Sequence, residues 1–142
     1  MRVKVSLMLA DAAQVAGGKL YVLGGGWSVL YAPASFAIAL KIEVPWTQGE
    51  DTHELRMELL DEDGQVVLGL EDKPLITIES TFRTGVPDGI KPGTPIDAVA
   101  AFPIPPLQLQ PGRYEWRLTI DGQGDDDWHV GITRSERPPP QA

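Results

Sequence analysis

Cysteine is absent from all 142 residues, so the chain has no disulfide, no thiolate nucleophile and no cysteine metal site. Its stability has to come from burial, and a chain of this length buries about two-thirds of its unfolded surface without staples. Histidine occurs only at His53 and His129. Neither has the companions of a three-ligand zinc site or of a nucleophile–base set, and both read as exposed strand or loop residues. Runs of basic residues are missing too. Twelve Lys and Arg stand against twenty Asp and Glu, a formal charge of −8, which excludes nucleic acid as a partner because phosphate binding needs clustered cations. The deficit is uneven. Residues 1–49 carry Arg2, Lys4, Lys19 and Lys41 against Asp11 and Glu43, a net +2, which leaves −10 for residues 50–142. No window approaches eighteen uninterrupted apolar residues, so no helical membrane span is expected. The apolar run after Arg2 is too short for a signal peptide, is interrupted by Lys4 and stops at Asp11; it reads as a first strand.

What the chain does contain is period-two alternation punctuated by turns. Leu109 to Gly122 is the clearest stretch: Tyr114, Trp116, Leu118 and Ile120 share one face, while Arg113, Glu115, Arg117, Thr119 and Asp121 share the other. Phe36, Ile38, Leu40, Ile42 and Val44 form an unbroken inward set ended by Pro45. Leu55, Met57 and Leu59 alternate with Glu54, Arg56 and Glu58 before the turn Asp61–Gly64, which leads into an expected strand over Gln65–Leu70. Further strands are expected over 76–83, 96–102 and 128–133. Ala10–Ala16 reads as a single helical turn, and Gly17-Gly18 as the turn into a strand from Lys19 to about Val29. Within that strand Gly24-Gly25-Gly26 marks a bulge that re-aims Trp27; with no Lys-Ser/Thr pair after it, it is not a phosphate cradle. Pro103-Ile104-Pro105-Pro106 can only run along a sheet edge or cross between sheets.

Fifteen glycines and thirteen prolines, about nine short strands and no long amphipathic helix predict an all-β chain, an antiparallel β-sandwich of immunoglobulin-like or related type. One domain is expected over 1–136, with a mobile proline-rich tail over 137–142. The Leu109-x-Pro-Gly-x-Tyr114 segment has the form of a tyrosine corner, in which the phenol folds back to hydrogen-bond upstream backbone.

Leu9-Ala10-Asp11-Ala12-Ala13, Gly18 through Trp27, Ile38–Trp46, Glu58–Gly64 and Pro111-Gly112-Arg113-Tyr114 together resemble an uncharacterised, largely actinobacterial family of small single-domain proteins. The resemblance implies a stand-alone cytoplasmic bacterial protein. It supplies no catalytic or binding residues.

The sequence predicts no enzyme and no cofactor. It points to a β-sandwich that binds a protein partner or a second copy of itself through a sheet face or edge. Ala37 and Ala39 lie on the nominal outer face of a strand whose inner set is fully apolar, so with Lys41 and the strand-end Trp46 they are the expected interaction surface. The alternative is a small-ligand or carbohydrate module using Trp46 and the acidic turns at Asp61–Asp63, Glu71-Asp72 and Asp121–Asp127, with calcium as a potential aid. Those turns also fit local backbone capping, and their spacing matches no EF-hand loop.

Overall fold

The computed structural model describes residues 2–138; of the expected tail, residues 139–142 lie outside the described residues. Nine strands are described: β1 (Lys4–Ala16), β2 (Lys19–Trp27), β3 (Val29–Leu30), β4 (Phe36–Val44), β5 (His53–Asp61), β6 (Thr77–Phe82), β7 (Ile96–Ile104), β8 (Gly112–Ile120) and β9 (His129–Arg134). They form two sheets, here sheet A in the order β2-β1-β4-β7 and sheet B in the order β3-β9-β8-β5-β6. All pairings are antiparallel except β3 with β9, which is parallel and only two residue pairs long.

Alternation in the sequence becomes the core directly. Leu9, Ile38, Leu40, Ile42, Val44 and Ile104 from sheet A meet Leu55, Met57, Leu59, Trp116, Leu118 and Ile132 from sheet B, all buried. Trp128 closes the same cluster and Trp27 packs edge-on against Phe36 at 5.6 Å, so the bulge between Leu9 and Ala10 turns Trp27 inward. The tyrosine corner is formed: Tyr114 Oη donates to the Gln110 carbonyl at 2.6 Å. Pro103 falls in β7, the edge strand of sheet A, where a missing N–H breaks no ladder.

Two local expectations are corrected. Ala10–Ala16 is no helical turn; it continues β1, pairing with β2 from Ala10↔Gly25 to Ala16↔Lys19. Gly17 and Gly18 between them have φ of 57° and 73°, the left-handed pair that a two-residue hairpin turn requires. Such a turn enforces the hairpin over any helical preference of the alanines. Gln65–Leu70 is no strand either. The Asp61–Gly64 turn forms, with Gly64 N–H donating to the Asp61 carbonyl at 3.0 Å. Beyond it only the isolated bridges Leu60↔Val66 and Leu68↔Pro74 survive, because Pro74 cannot donate and the chain reverses at Leu70–Asp72, where Glu71 and Asp72 have φ of 58° and 56°.

β1 pairs with β4 only as far as Ala10↔Ala37. From Asp11 to Gly25 the β1–β2 hairpin therefore runs on as a two-stranded arm beyond the four-stranded part of sheet A.

Candidate functional site

Three places hold the chemistry that the sequence brings into question. The first is the corner where β5 begins. His53 is buried at 2% exposure, its ring stacked on Phe82 with centroids 5.0 Å apart. Its Nδ1 lies 2.7 Å from Asp121 Oδ2 and its Nε2 lies 3.3 Å from the Gln48 carbonyl. The expectation of an exposed His53 is thus corrected: an aromatic wall and the Asp121 carboxylate beside Nδ1 compensate its burial. Asp121 accepts the Glu54 N–H on its other oxygen at 2.9 Å. Partial burial pushes the Asp121 carboxyl up, but the Glu54 N–H and the His53 ring outweigh it, so the carboxyl sits below its ordinary range. The pair resembles half of a catalytic triad. Yet Nε2, which would serve a nucleophile, faces the Gln48 carbonyl at 3.3 Å rather than a hydroxyl or thiol, so the geometry fastens the β5 start to the β8 end beside the turn at Trp46–Gln48.

Beside that corner opens a cleft of about 930 Å³ lined by Arg2, Gln48, Glu50, His53, Asp121 and Trp128 among others. Trp46 does not line it; it sits half-buried in the 3-10 turn after β4. Two of the three acidic turns are occupied by their own backbone, and Glu71 in the other pairs with Lys73 at 3.4 Å. Asp61 Oδ1 accepts the N–H groups of Asp63 and Gln65, Asp125 Oδ1 accepts that of Asp127, and Asp125 Oδ2 pairs with Arg2 at 2.7 Å. No group of three or more potential metal ligands is found among the described residues.

The third place is the outer face of sheet A. Ala37 and Ala39 alternate with the core set of β4, so they face away from the core, yet they are only 3% and 2% exposed. Their neighbours across the strands are Ala10 and Met8 on β1, and Pro103 and Ala101 on β7. β1 and β2 also come close to β7 across the intervening β4, so the sheet curls, and its small residues are sealed within the chain itself. Lys41 remains exposed and pairs with Asp97 at 3.7 Å. The four residues expected to form one surface are therefore split: Ala37 and Ala39 are a covered floor, Lys41 lies at its margin and Trp46 lies past the end of the strand.

Exposed apolar side chains lie instead on the arm. Leu23 is 71% exposed and Tyr21 55%, with Val15 and Val22 exposed beside them and Met8 at the root; Val29, Leu68 and Leu70 are exposed singly elsewhere. The only charges from Ala10 to Trp27 are Asp11 and Lys19. Two glycines set the shape at its root. Gly24 has a φ of 62°, and a Cβ there would lie 2.3 Å from Asp11 Oδ2; a Cβ on Gly25 would meet Val22 and Met8. The sequence reading missed the arm because Leu20-Tyr21-Val22-Leu23 looks apolar on both faces, which ordinarily marks a strand covered on both sides.

Residues 5–132 match the model of a Family of unknown function (DUF6941). The chain belongs to that family. The match spans the arm and both sheets, so the DUF6941 unit is the sandwich together with its projecting hairpin. No curated protein matches the chain, and no helix among the described residues is long and apolar enough to cross a membrane.

Proposed function

We propose that this DUF6941 protein is a non-enzymatic interaction module that engages another protein through the β1–β2 arm and the adjoining edge of sheet A. The observation that carries the reading is the exposure of Tyr21, Val22 and Leu23 on a ribbon with no third strand behind it. A two-stranded ribbon is marginal by itself in water, and a cluster of bare aliphatic and aromatic side chains with one lysine among them is the composition of a contact surface. The exposed margin of sheet A at Lys41 adjoins it, while Ala37 and Ala39, sealed by the curl of the sheet, support the arm's root from within and touch no partner. An immunoglobulin-like topology belongs to the same reading. It is supported by the Tyr114 corner and by a short early strand, β3, running parallel to the last, β9. A cytoplasmic bacterial setting is consistent with a chain that uses no cysteine.

The experiment is site-specific photo-crosslinking in cells, with the photoreactive residue at Leu23 and, as control, at the exposed Arg113 on sheet B. A discrete adduct from Leu23 and none from Arg113 is the expected result. Equal labelling from both positions, or none from Leu23, overturns the reading.

A further inference from the structure

Asparagine is absent from the chain, and glycine follows aspartate three times, at Asp63-Gly64, Asp88-Gly89 and Asp121-Gly122. In a chain without asparagine, this is the dipeptide whose backbone nitrogen most readily attacks the side chain before it, because glycine has no Cβ to obstruct the approach. The attack needs a carboxyl that is not held as an anion and a glycine N–H that is not committed elsewhere. All three pairs are exposed, so access does not separate them; hydrogen bonding does.

Asp121 is locked through its carboxylate. One oxygen accepts the Glu54 N–H at 2.9 Å, the other lies 2.7 Å from the His53 ring, and the Asp121 N–H donates to the Glu54 carbonyl at 2.8 Å. Burial raises its pKa less than the Glu54 N–H and the His53 ring lower it, so the carboxyl stays ionised, the form that resists attack. At Asp63 the nitrogen is the committed partner. The Gly64 N–H donates to the Asp61 carbonyl at 3.0 Å and the Asp63 N–H to Asp61 Oδ1 at 2.9 Å, so this turn has to open before the Gly64 nitrogen can move. Asp88-Gly89 has neither restraint. Among the described residues no hydrogen bond or ion pair engages the Asp88 carboxylate or the Gly89 N–H, and the pair lies in residues 83–95, a segment without a strand in which Gly85, Gly89 and Gly93 have φ of 68°, 81° and 93°. That segment is fastened where it starts, by Arg83 Nε to the Glu50 carbonyl at 3.1 Å and by Thr84 Oγ1 to the Gly49 carbonyl at 3.2 Å, and where it runs into β7 at Ile96. Its middle can rearrange without unpairing a sheet.

We propose that Asp88-Gly89 is a self-modification site, at which the folded protein's backbone rearranges through a succinimide to an isoaspartyl linkage. The Gly89 nitrogen bonds to Asp88 Cγ, its proton and the carboxyl OH leave as water, and a cyclic imide closes. Water then adds to one of the two imide carbonyls. Breaking the bond from nitrogen to Cγ restores aspartate. Breaking the bond from nitrogen to the α-carbonyl carbon leaves the main chain running through Cγ, longer by a methylene, with a new α-carboxylate. One water leaves and one returns, so mass is unchanged and no further reactant is required. The product is a substrate for enzymes that methylate isoaspartyl carboxylates.

The test is incubation of the folded protein at neutral pH, then trypsin digestion and methyl transfer from labelled S-adenosylmethionine by a purified isoaspartyl methyltransferase. Trypsin, which does not cut at Lys73-Pro74 or Lys91-Pro92, leaves the three pairs on separate peptides, 57–83, 84–113 and 118–134. Label is expected to accumulate in 84–113 at least about tenfold faster than in the other two, because there no hydrogen bond has to be given up first. Asp88→Glu, which keeps the charge but disfavours ring closure, should abolish that label, with circular dichroism verifying the fold. In denaturant the three peptides should label at comparable rates. Equal labelling of the three in the folded protein overturns the proposal, as does a peptide 84–113 that labels only in denaturant. Label that survives in Asp88→Glu assigns the reaction to Asp97 on the same peptide and also overturns it. A preference that persists unchanged in denaturant removes the role given to the fold.

Discussion

Asp121 serves three groups at once: the Glu54 N–H, the His53 ring and, through its own backbone N–H, the Glu54 carbonyl at 2.8 Å. Asp121→Ala leaves a buried ring nitrogen without its acceptor and should cost about 1–3 kcal/mol in chemical denaturation. The pH dependence has a definite sign. A carboxyl held below its unfolded value of about 4 contributes fully above that pH and loses its contribution as pH falls through the lower folded value. The stability gap between wild type and Asp121→Asn should therefore be constant near neutrality and close below about pH 4; a gap that widens in acid contradicts the assignment. Trp116, fully buried, should cost about 3–5 kcal/mol on truncation to alanine. Half-buried Trp46 should cost less, so urea midpoints in the opposite order would reverse their roles. Residue-scale legibility followed locality. The inward placing of Trp116 could be read from alternation within its own segment, whereas the His53–Asp121 bond joins residues 68 apart and leaves no mark in the sequence near either.

Among the elements, those with strict alternation were legible to within a residue or two. Phe36–Val44 is β4 with the expected bounds, and the strand around Trp116 differs by one residue at each end. The Ala10–Ala16 segment was not legible because small residues carry no polarity contrast, so its period could not be seen until its partner was known. The same applies to the arm's two apolar faces. Gly24 gives the sharpest element-scale test. Alanine there faces both a left-handed backbone and the Asp11 carboxylate, a penalty of about 1–2 kcal/mol confined to the arm. Amide exchange across Ala12–Leu23 should quicken while the melting of the sandwich hardly moves; a fall in the global transition instead would mean that the arm is part of the cooperative core. Tyr114→Phe, which removes the bond to Gln110, should cost about 0.5–1.5 kcal/mol globally.

At the scale of the whole molecule, a two-sheet all-β architecture followed from turn spacing and alternation, but strand order did not, since period two says which face is inward and nothing about which neighbour is adjacent. The surface expected at Ala37 and Ala39 illustrates the limit. Their outward register was legible, while the curl that seals them depends on β1, β2 and β7 together. With Asp61 and Asp125 engaged by the backbone of their own turns and by Arg2, neither EDTA nor added calcium should move the melting temperature. A shift of several degrees with either would assign those turns a metal.

β3, only two residues long, has a consequence for how the protein is made. Its partner is β9, so Val29 and Leu30 wait for Thr133 and Arg134, and Ser28 and Leu30 offer carbonyls to N–H groups of Thr133 and Ser135. A chain emerging from the ribosome can form the β1–β2 hairpin early, but the clasp between the two sheets closes only after β9 has been made. In ribosome-bound chains carried on a C-terminal tether that fills the exit tunnel, those stopping short of Gly131 should be cut readily by protease, and resistance should appear abruptly once Ser135 is included. During that interval the apolar arm is in the open, which makes translation the period in which this protein is most exposed to premature association.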